Sequence, residues 1–396
     1  MALNPDSHEA SPPGGWPVPA AAYIHVPFCR HRCGYCNFSV VAGRDELVEK
    51  YLDAVDRELL ALGRPAVRTV FVGGGTPTHL ELAQLDRLLS MIRSRFDLAG
   101  NELEWTIEAN PEDISQDKLN LLLDHGVNRI SLGVQSFEDR KLKTLERGHT
   151  GDSAIKTVEI VAAKISNVSI DLIFGSPNSE LDAGETIEQW NRDLETALSL
   201  PIKHLSTYAL TFEKGTSFWS RRLKGELRSL DEKTEVEMYQ ATRRLVAEAG
   251  LSQYEISSFA RSGFACKHNL AYWEGQGWFA AGPGAARFVG GHREVNHRST
   301  TTYIKRMESG ECPVAESESI SVEQLARERL AFGIRMIEGV DVDAIGESAG
   351  VDLRRVCGEA IDLSLSENLL CNKEGRLALT EQGVLFADSV ASRFLA

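Results

Sequence analysis

Tyr23-Ile24-His25-Val26-Pro27-Phe28-Cys29-Arg30-His31-Arg32-Cys33-Gly34-Tyr35-Cys36 is the stretch on which the reading of this chain turns. An apolar run, Ala22–Val26, of the kind that forms a buried strand is followed at once by three thiols at C-x3-C-x2-C spacing. A loop after a strand is the ligand-binding end of a βα barrel. Thiolates are the usual ligands of iron–sulfur clusters, and a cubane has four irons to satisfy. Cys29, Cys33 and Cys36 leave one iron without a protein ligand, the arrangement a small-molecule site requires. A structural zinc completed by His31, or three unliganded buried cysteines, are the alternatives; the strand–loop placement favours the cluster.

Working outward, short apolar runs alternate with helix-patterned stretches as far as Leu210. The runs are Ala22–Val26, Thr69–Val72, Leu103–Ile107, Arg129–Leu132, Val168–Ile173 and His204–Tyr208. Helical periodicity fills the gaps at Glu46–Leu62, Ala83–Phe96, Gln116–Asp124, Ala154–Ala163 and Thr186–Leu198. The pattern predicts an α/β fold with a parallel sheet, a partial (β/α)6 barrel. Beyond it the spacing predicts a long helix over Glu232–Ala249, a strand at Tyr254–Phe259, and an aperiodic Gly- and aromatic-rich stretch, Ala271–Gly291. The last part reads as helices plus a hairpin at Leu370–Leu379, in the order of a winged helix. The domains expected are a disordered lead-in (1–20), the barrel (21–230), an α+β extension (231–315) and a small C-terminal winged-helix-like domain (316–396).

Composition limits the function. The chain has 396 residues, 42% of them hydrophobic, enough for one large domain and a smaller one. A formal charge of -14 argues against a broad nucleic-acid surface. No apolar run reaches membrane-spanning length, and the N-terminus lacks a signal pattern. Seven cysteines, three of them in one loop, suit a metal site in a reducing compartment better than a disulfide framework, so a cytoplasmic location is expected.

The cysteine spacing after the first strand resembles the radical S-adenosylmethionine (SAM) superfamily. That resemblance implies a [4Fe-4S] cluster on the three cysteines and SAM bound at the open iron by its amine and carboxylate. It also implies that Tyr35, the aromatic residue before the third cysteine, packs near the adenine. Val70-Phe71-Val72-Gly73-Gly74-Gly75-Thr76-Pro77 follows the second strand. Alone it is a tight turn whose glycines let backbone approach a ligand; behind the cysteine loop, Gly74, Gly75 and Thr76 match the superfamily turn that holds the methionine amine. Glu108, Gln135, Arg147 and Asp171 recur at strand ends or in the loops beyond, where carboxylates take ribose hydroxyls or offset a sulfonium charge. Singly each reads as an ion pair. As a series they resemble the SAM contacts of the coproporphyrinogen-oxidase branch, as does Tyr23 before the first cysteine.

Two subgroups of that branch compete. Oxygen-independent coproporphyrinogen III oxidase has a further cysteine two residues after the third, whereas Cys36 is followed by Asn37 and Phe38. That ending is similar to the HemW-type heme chaperones. So is His268-Asn269-Leu270-Ala271-Tyr272-Trp273, which fits the H-N-x-x-Y-W pattern associated with heme in that family. Neutral imidazole ligates heme iron, and Tyr272 and Trp273 offer flat apolar faces; the plain alternative is a loop pinned by packed aromatics. No C-x-x-C-H motif is present, so thioether attachment is not expected. Two departures stand out: Ala286-Arg287 follows Gly282-Pro283-Gly284-Ala285 where many relatives carry histidine, and Ser176 follows Gly175 where leucine is usual. The resemblance implies a heme carrier that serves acceptor proteins such as those of the respiratory chain, with homodimer formation open and no nucleic-acid partner. Radical oxidative decarboxylation of coproporphyrinogen is the enzymatic alternative.

Overall fold

The computed structural model describes residues 11–98, 100, 102–179 and 184–396. Six parallel strands form its centre: β1 (Ala21–Val26), β2 (Thr69–Gly74), β3 (Glu104–Ala109), β4 (Arg129–Gln135), β5 (Asn167–Phe174) and β6 (His204–Ala209). They lie side by side in chain order. Helices α1 (Val48–Ala61), α2 (Leu82–Arg95), α3 (Gln116–His125), α4 (Gly151–Ala162) and α5 (Ile187–Ser199) connect them. Each expected strand and helix of this half of the chain is present.

The strands alternate in chemistry as the pleat requires. Ala22, Ile24 and Val26, Val70 and Val72, Trp105 and Ile107, Ile130 and Leu132, and Val168, Ile170 and Leu172 all enter the main apolar core with the helices. The intervening residues face the other way, and most are polar: Tyr23, His25, Thr69, Glu104, Glu108, Arg129, Ser131, Ser169, Asp171, His204 and Ser206. Hydrogen bonds between neighbouring strands join several of them, such as Ser131 to Asp171 (3.2 Å) and Ser169 to His204 (2.8 Å), while Arg129 Nε is buried with no acceptor among the described residues. Helix entrances are fixed by side-chain caps: Thr150 and Thr186 each close a capping box, and Ser115 accepts from Lys118 N–H.

The sheet does not close. β1 pairs on its free side with β9 (Trp278–Ala281) and β6 with β8 (Ser258–Ala260), so twelve strands run in one open sheet. β7 (Ser252–Glu255) lies beyond β8, while β10 (Ala286–Val289), β11 (His292–Asn296) and β12 (Val314–Ser319) continue antiparallel beyond β9. Helix α6 (Glu232–Glu248) packs on α5. Helix α7 (Lys267–Trp273) starts beneath the hollow face of β3. There the Glu104 carboxylate accepts the backbone N–H of Lys267 and of His268, each at 3.1 Å. A carboxylate at a helix N-terminus is favoured by the helix dipole.

After α8 (Thr300–Glu308), a separate apolar core gathers α9 (Val322–Gly333), α10 (Val342–Ala349), α11 (Leu353–Ser366), the hairpin of β13 (Leu370–Lys373) and β14 (Arg376–Leu379), and α12 (Ala387–Leu395). The lead-in expected to be disordered is partly placed. Its residues 1–10 lie outside the described residues, but Gly14 N–H donates to Ser348 O (3.1 Å) and Trp16 packs with Trp278, Phe288, Ile320 and Leu325. Pro13 against Gly350 and Pro17 and Pro19 against Gly277 add to these contacts of the Pro/Gly-rich segment. No helix is long and apolar enough to cross a membrane among the described residues.

Candidate functional site

At the C-terminal end of β1, Phe28–Cys29 forms a short parallel pair with Val41–Ala42, so the cysteine loop leaves and returns at one point. The glycine turn after β2 is stitched to the same segment. Gly75 N–H donates to Val26 O (2.7 Å) and Thr76 N–H to Phe28 O (2.8 Å). A Cβ on Gly75 would lie 2.6 Å from Phe28 O, 2.9 Å from Val26 O and 3.0 Å from Cys29 Sγ. Gly74 has φ +108°, and a Cβ there would strike the His25 ring. Backbone approach thus demands glycine at 75, and the positive φ with the His25 ring demands it at 74.

A chain of side chains links two of the sulfurs. Thr76 Oγ1 donates to Cys29 Sγ (3.7 Å), Asn110 Nδ2 donates to Thr76 Oγ1 (2.9 Å), and Arg147 donates to Asn110 Oδ1 (2.5 Å). Arg147 also donates to Gly133 O (2.8 Å) and to Cys33 Sγ (3.6 Å). Burial works against its charge, yet Tyr35, Cys33 and Glu112 together hold that guanidinium protonated. Arg147 Nε is buried with no acceptor among the described residues. Asn110 is the member that the sequence reading passed over. It stands two residues after Glu108, and the strand-end argument that selected Glu108 applies to it equally.

The carboxylates stand nearby. Glu108 accepts Gly74 N–H at 2.9 Å; burial pushes its pKa up to about 7, against that hydrogen bond and with Asp171 adding to the rise. Asp171 is raised by burial too, although the Ser206 and Ser131 hydroxyls favour its ionised form. Gln135 sits at a break in the β4–β5 register with φ 65°, an uncommon conformation for a residue with a side chain. Such a bulge re-aims the last side chain of a strand, and strain of this kind concentrates at binding sites.

Burial pushes the Cys29 thiol up to about 12 and raises that of Cys36 as well. All seven cysteines carry free thiols. Among the described residues, no three His, Cys, Asp or Glu side chains are gathered closely enough to hold a single metal ion. The donor set does fit a cluster: three soft ligands on one loop, beside backbone amides and a buried guanidinium. A coordinated metal deprotonates a thiol whatever its pKa in the metal-free chain.

Burial raises the pKa of Tyr23, and Glu108, within electrostatic reach, adds to the rise. Its hydroxyl meets His25 Nδ1 (3.0 Å), and His25 Nε2 meets Ser39 O (2.9 Å) at the far end of the cysteine loop. Tyr23, His25 and Ser39 line a second cavity of about 640 Å³, within the range of small-molecule sites. His268, Tyr272 and Trp273 line it too, and Phe71, Trp278 and Phe288 extend its apolar wall. His268 is 1% exposed. Its Nδ1 meets Thr69 Oγ1 and its Nε2 meets Tyr272 Oη, both at 2.9 Å. Burial, with Arg129 adding to the effect, lowers its pKa to about 3, so the imidazole is neutral at any working pH. Cys266, two residues earlier, is directed at Glu104 (3.5 Å) and does not line the cavity.

Known proteins resemble this chain in sequence and in fold. Residues 23–189 match the radical SAM superfamily and residues 320–386 the HemN C-terminal domain. The chain is 35% identical over 380 residues to the heme chaperone HemW of Bacillus subtilis, covering 95% of this chain and 99% of that protein. It is 35% identical over 394 residues to HemW of Mycobacterium tuberculosis, covering 97% of each. Among solved structures, coproporphyrinogen III oxidase (HemN) from Escherichia coli superposes with a TM-score of 0.81 at 21% identity, over 95% of this chain and 90% of that one, a likeness of fold. A half-open βα sheet with three cysteines after its first strand, a glycine turn behind them and close HemW relatives along nearly its whole length places the chain in the radical SAM superfamily, in the HemN-like branch that includes the HemW proteins.

Proposed function

We propose that this protein is a heme chaperone: it binds heme in the cavity beside β1 and β2 and hands it to acceptor proteins. One observation carries the reading. The three motif residues His268, Tyr272 and Trp273 wall a largely apolar cavity that shares His25 and Ser39 with the root of the cysteine loop. Flat aromatic walls suit a porphyrin face, and neutral imidazole is an iron ligand. Ligation through His268 Nε2 requires Tyr272 to give up its hydrogen bond, a cost of roughly 1 kcal/mol.

In this proposal Cys29, Cys33 and Cys36 hold a [4Fe-4S] cluster, and Tyr35, Gly74, Gly75, Thr76, Glu108, Gln135, Arg147 and Asp171 surround SAM. When bound, the cluster supplies a one-electron store and an open coordination position. The chain's own contribution is placement: Gly74 and Gly75 bring backbone against the ligand, Glu108 and Asp171 offer negative charge to a cationic one, and Arg147 bridges toward two of the sulfurs. Tyr23 belongs with the heme cavity, which His25 separates from the glycine turn.

Anaerobically reconstituted protein titrated with hemin is expected to saturate at one equivalent per chain, with a shifted Soret band that His268→Ala removes. An unchanged band in His268→Ala would take this histidine out of the proposal. Anaerobic incubation with coproporphyrinogen III and SAM is expected to yield no protoporphyrinogen; its formation would make the protein an oxidase of the same branch.

A further inference from the structure

Three guanidinium groups line the second cavity, and two of them have no carboxylate partner among the described residues. Arg293, on its wall, is ion-paired with Glu318 and Glu328. Arg298 and Arg329 form no ion pair among the described residues. Arg298 is tied only to neutral oxygens of the cysteine-loop root, Asn37 O at 2.8 Å and Ser39 Oγ at 3.1 Å. Arg329, on α9 of the C-terminal domain, reaches Ser348 Oγ at 3.0 Å and Gly275 O at 3.4 Å. Each guanidinium has five N–H donors, so each keeps several unused.

Arg329 is half-buried, and burial lowers its pKa, so the site already bears the cost of an uncompensated cation. Much of the remaining wall is apolar, with Phe38, Phe71, Trp278, Phe288, Leu325 and Phe332 among its residues. Glu328, the acidic residue of the lining, is occupied by Arg293 at 2.5 Å. An apolar slot with two unpaired guanidiniums asks for a flat apolar body that carries carboxylates, since a carboxylate is the ligand that a guanidinium fork pairs best.

We infer that Arg298 and Arg329 are the carboxylate-recognition residues of this cavity, binding the two propionates of the tetrapyrrole and so fixing its orientation. The inference rests on the heme reading above and adds to it which edge of the macrocycle meets the protein. The two arginines come from different parts of the chain, one on the segment after β11 that touches the cysteine loop and one on the C-terminal domain. A ligand with two carboxylates therefore ties the C-terminal domain to the root of the cysteine loop, whereas a neutral porphyrin does not.

The test compares hemin with hemin dimethyl ester, which keeps the ring and the iron and loses both charges. Full-length protein is titrated with each, as wild type, Arg298→Gln, Arg329→Gln and the double variant. Wild type is expected to prefer the diacid by roughly tenfold or more for each arginine engaged. Each single variant loses part of that preference. The double variant binds acid and ester alike, at the affinity wild type shows for the ester. Retained ester binding is also the control that the variants are folded. Equal affinity of wild type for acid and ester, or an equal loss of both ligands in the double variant, would overturn the inference while leaving heme binding intact. Binding of neither ligand by wild type would remove the heme reading, and this inference with it.

Discussion

Glu108 offers a prediction whose size follows from its surroundings. The carboxyl is largely buried, takes one backbone hydrogen bond from Gly74 and has Asp171 as an acidic neighbour, so burial raises its pKa from 4.5 to about 7. An acid whose native pKa is raised favours folding while it is protonated. That stability is complete below the unfolded-state pKa and is lost as pH rises through the native value near 7. At about 1.4 kcal/mol per pKa unit, the loss between pH 4.5 and 7.5 is on the order of 3 kcal/mol. Glu108→Gln keeps an oxygen for Gly74 N–H and removes the titration. Urea unfolding of the metal-free, reduced chain at pH 5, 6, 7 and 8 should show the variant gaining on wild type with each step, by about 3 kcal/mol at the top. A cationic ligand reverses the effect, because positive charge beside Glu108 favours its ionised form. SAM affinity should therefore rise with pH through about 7 in wild type and stay flat in Glu108→Gln. A stability gap that does not change over this pH range would refute the argument.

Three further changes test other parts of the structure. Gly75→Ala puts a methyl against Phe28 O, Val26 O and Cys29 Sγ, and the two carbonyl oxygens cannot yield without a backbone shift; reconstitution should give less iron and sulfide per chain, and the metal-free protein should be less stable by about 1–3 kcal/mol. Tyr272→Phe frees His268 Nε2, so hemin should bind at least as tightly as to wild type, whereas His268→Ala should bind weakly; the opposite ranking would name the tyrosine as the ligand. Lys141→Met leaves Glu185 and Asp193 buried without the ammonium that both now contact, and denaturant unfolding should show a loss of roughly 3–5 kcal/mol, with a near-wild-type midpoint counting against the ion trio.

The central fold was legible because each strand is a short apolar run and each crossover a helical period, both local signals. The cysteines and the glycine turn were legible for the same reason, being contiguous in sequence. Gln135 could be selected from its place at a strand end, but its φ of 65° and the bulge beneath it depend on pairing with β5, which no local pattern announces. Arg147 lies twelve residues beyond Gln135, after a short helix (Asp139–Thr144), and only folding brings it to Cys33 and Asn110. The partners of His268 were out of reach: Thr69 is 199 positions away. Trp16 misled for a different reason, since Pro/Gly-rich composition describes the free chain and not the niche that Gly291, Phe288 and Leu325 provide for it.

The open edge of β1 explains how the cysteine-loop end of the sheet and a separate cavity share one scaffold. In a closed barrel that edge would pair with β6, and the hollow face would be filled by side chains. Here it pairs with β9, which leads into the β10–β11 hairpin, so the hollow continues sideways toward α7 and α9. Strand alternation then divides the labour within a few residues. Ala22, Ile24 and Val26 anchor β1 in the core, while Tyr23 and His25 look into the cavity. The His25 ring lies against Gly74 on one side and bonds Ser39 O on the other, so it forms the partition between the glycine turn and the second cavity. A larger residue at position 74 would strike that ring, which makes Gly74 as much a requirement of the partition as of the turn.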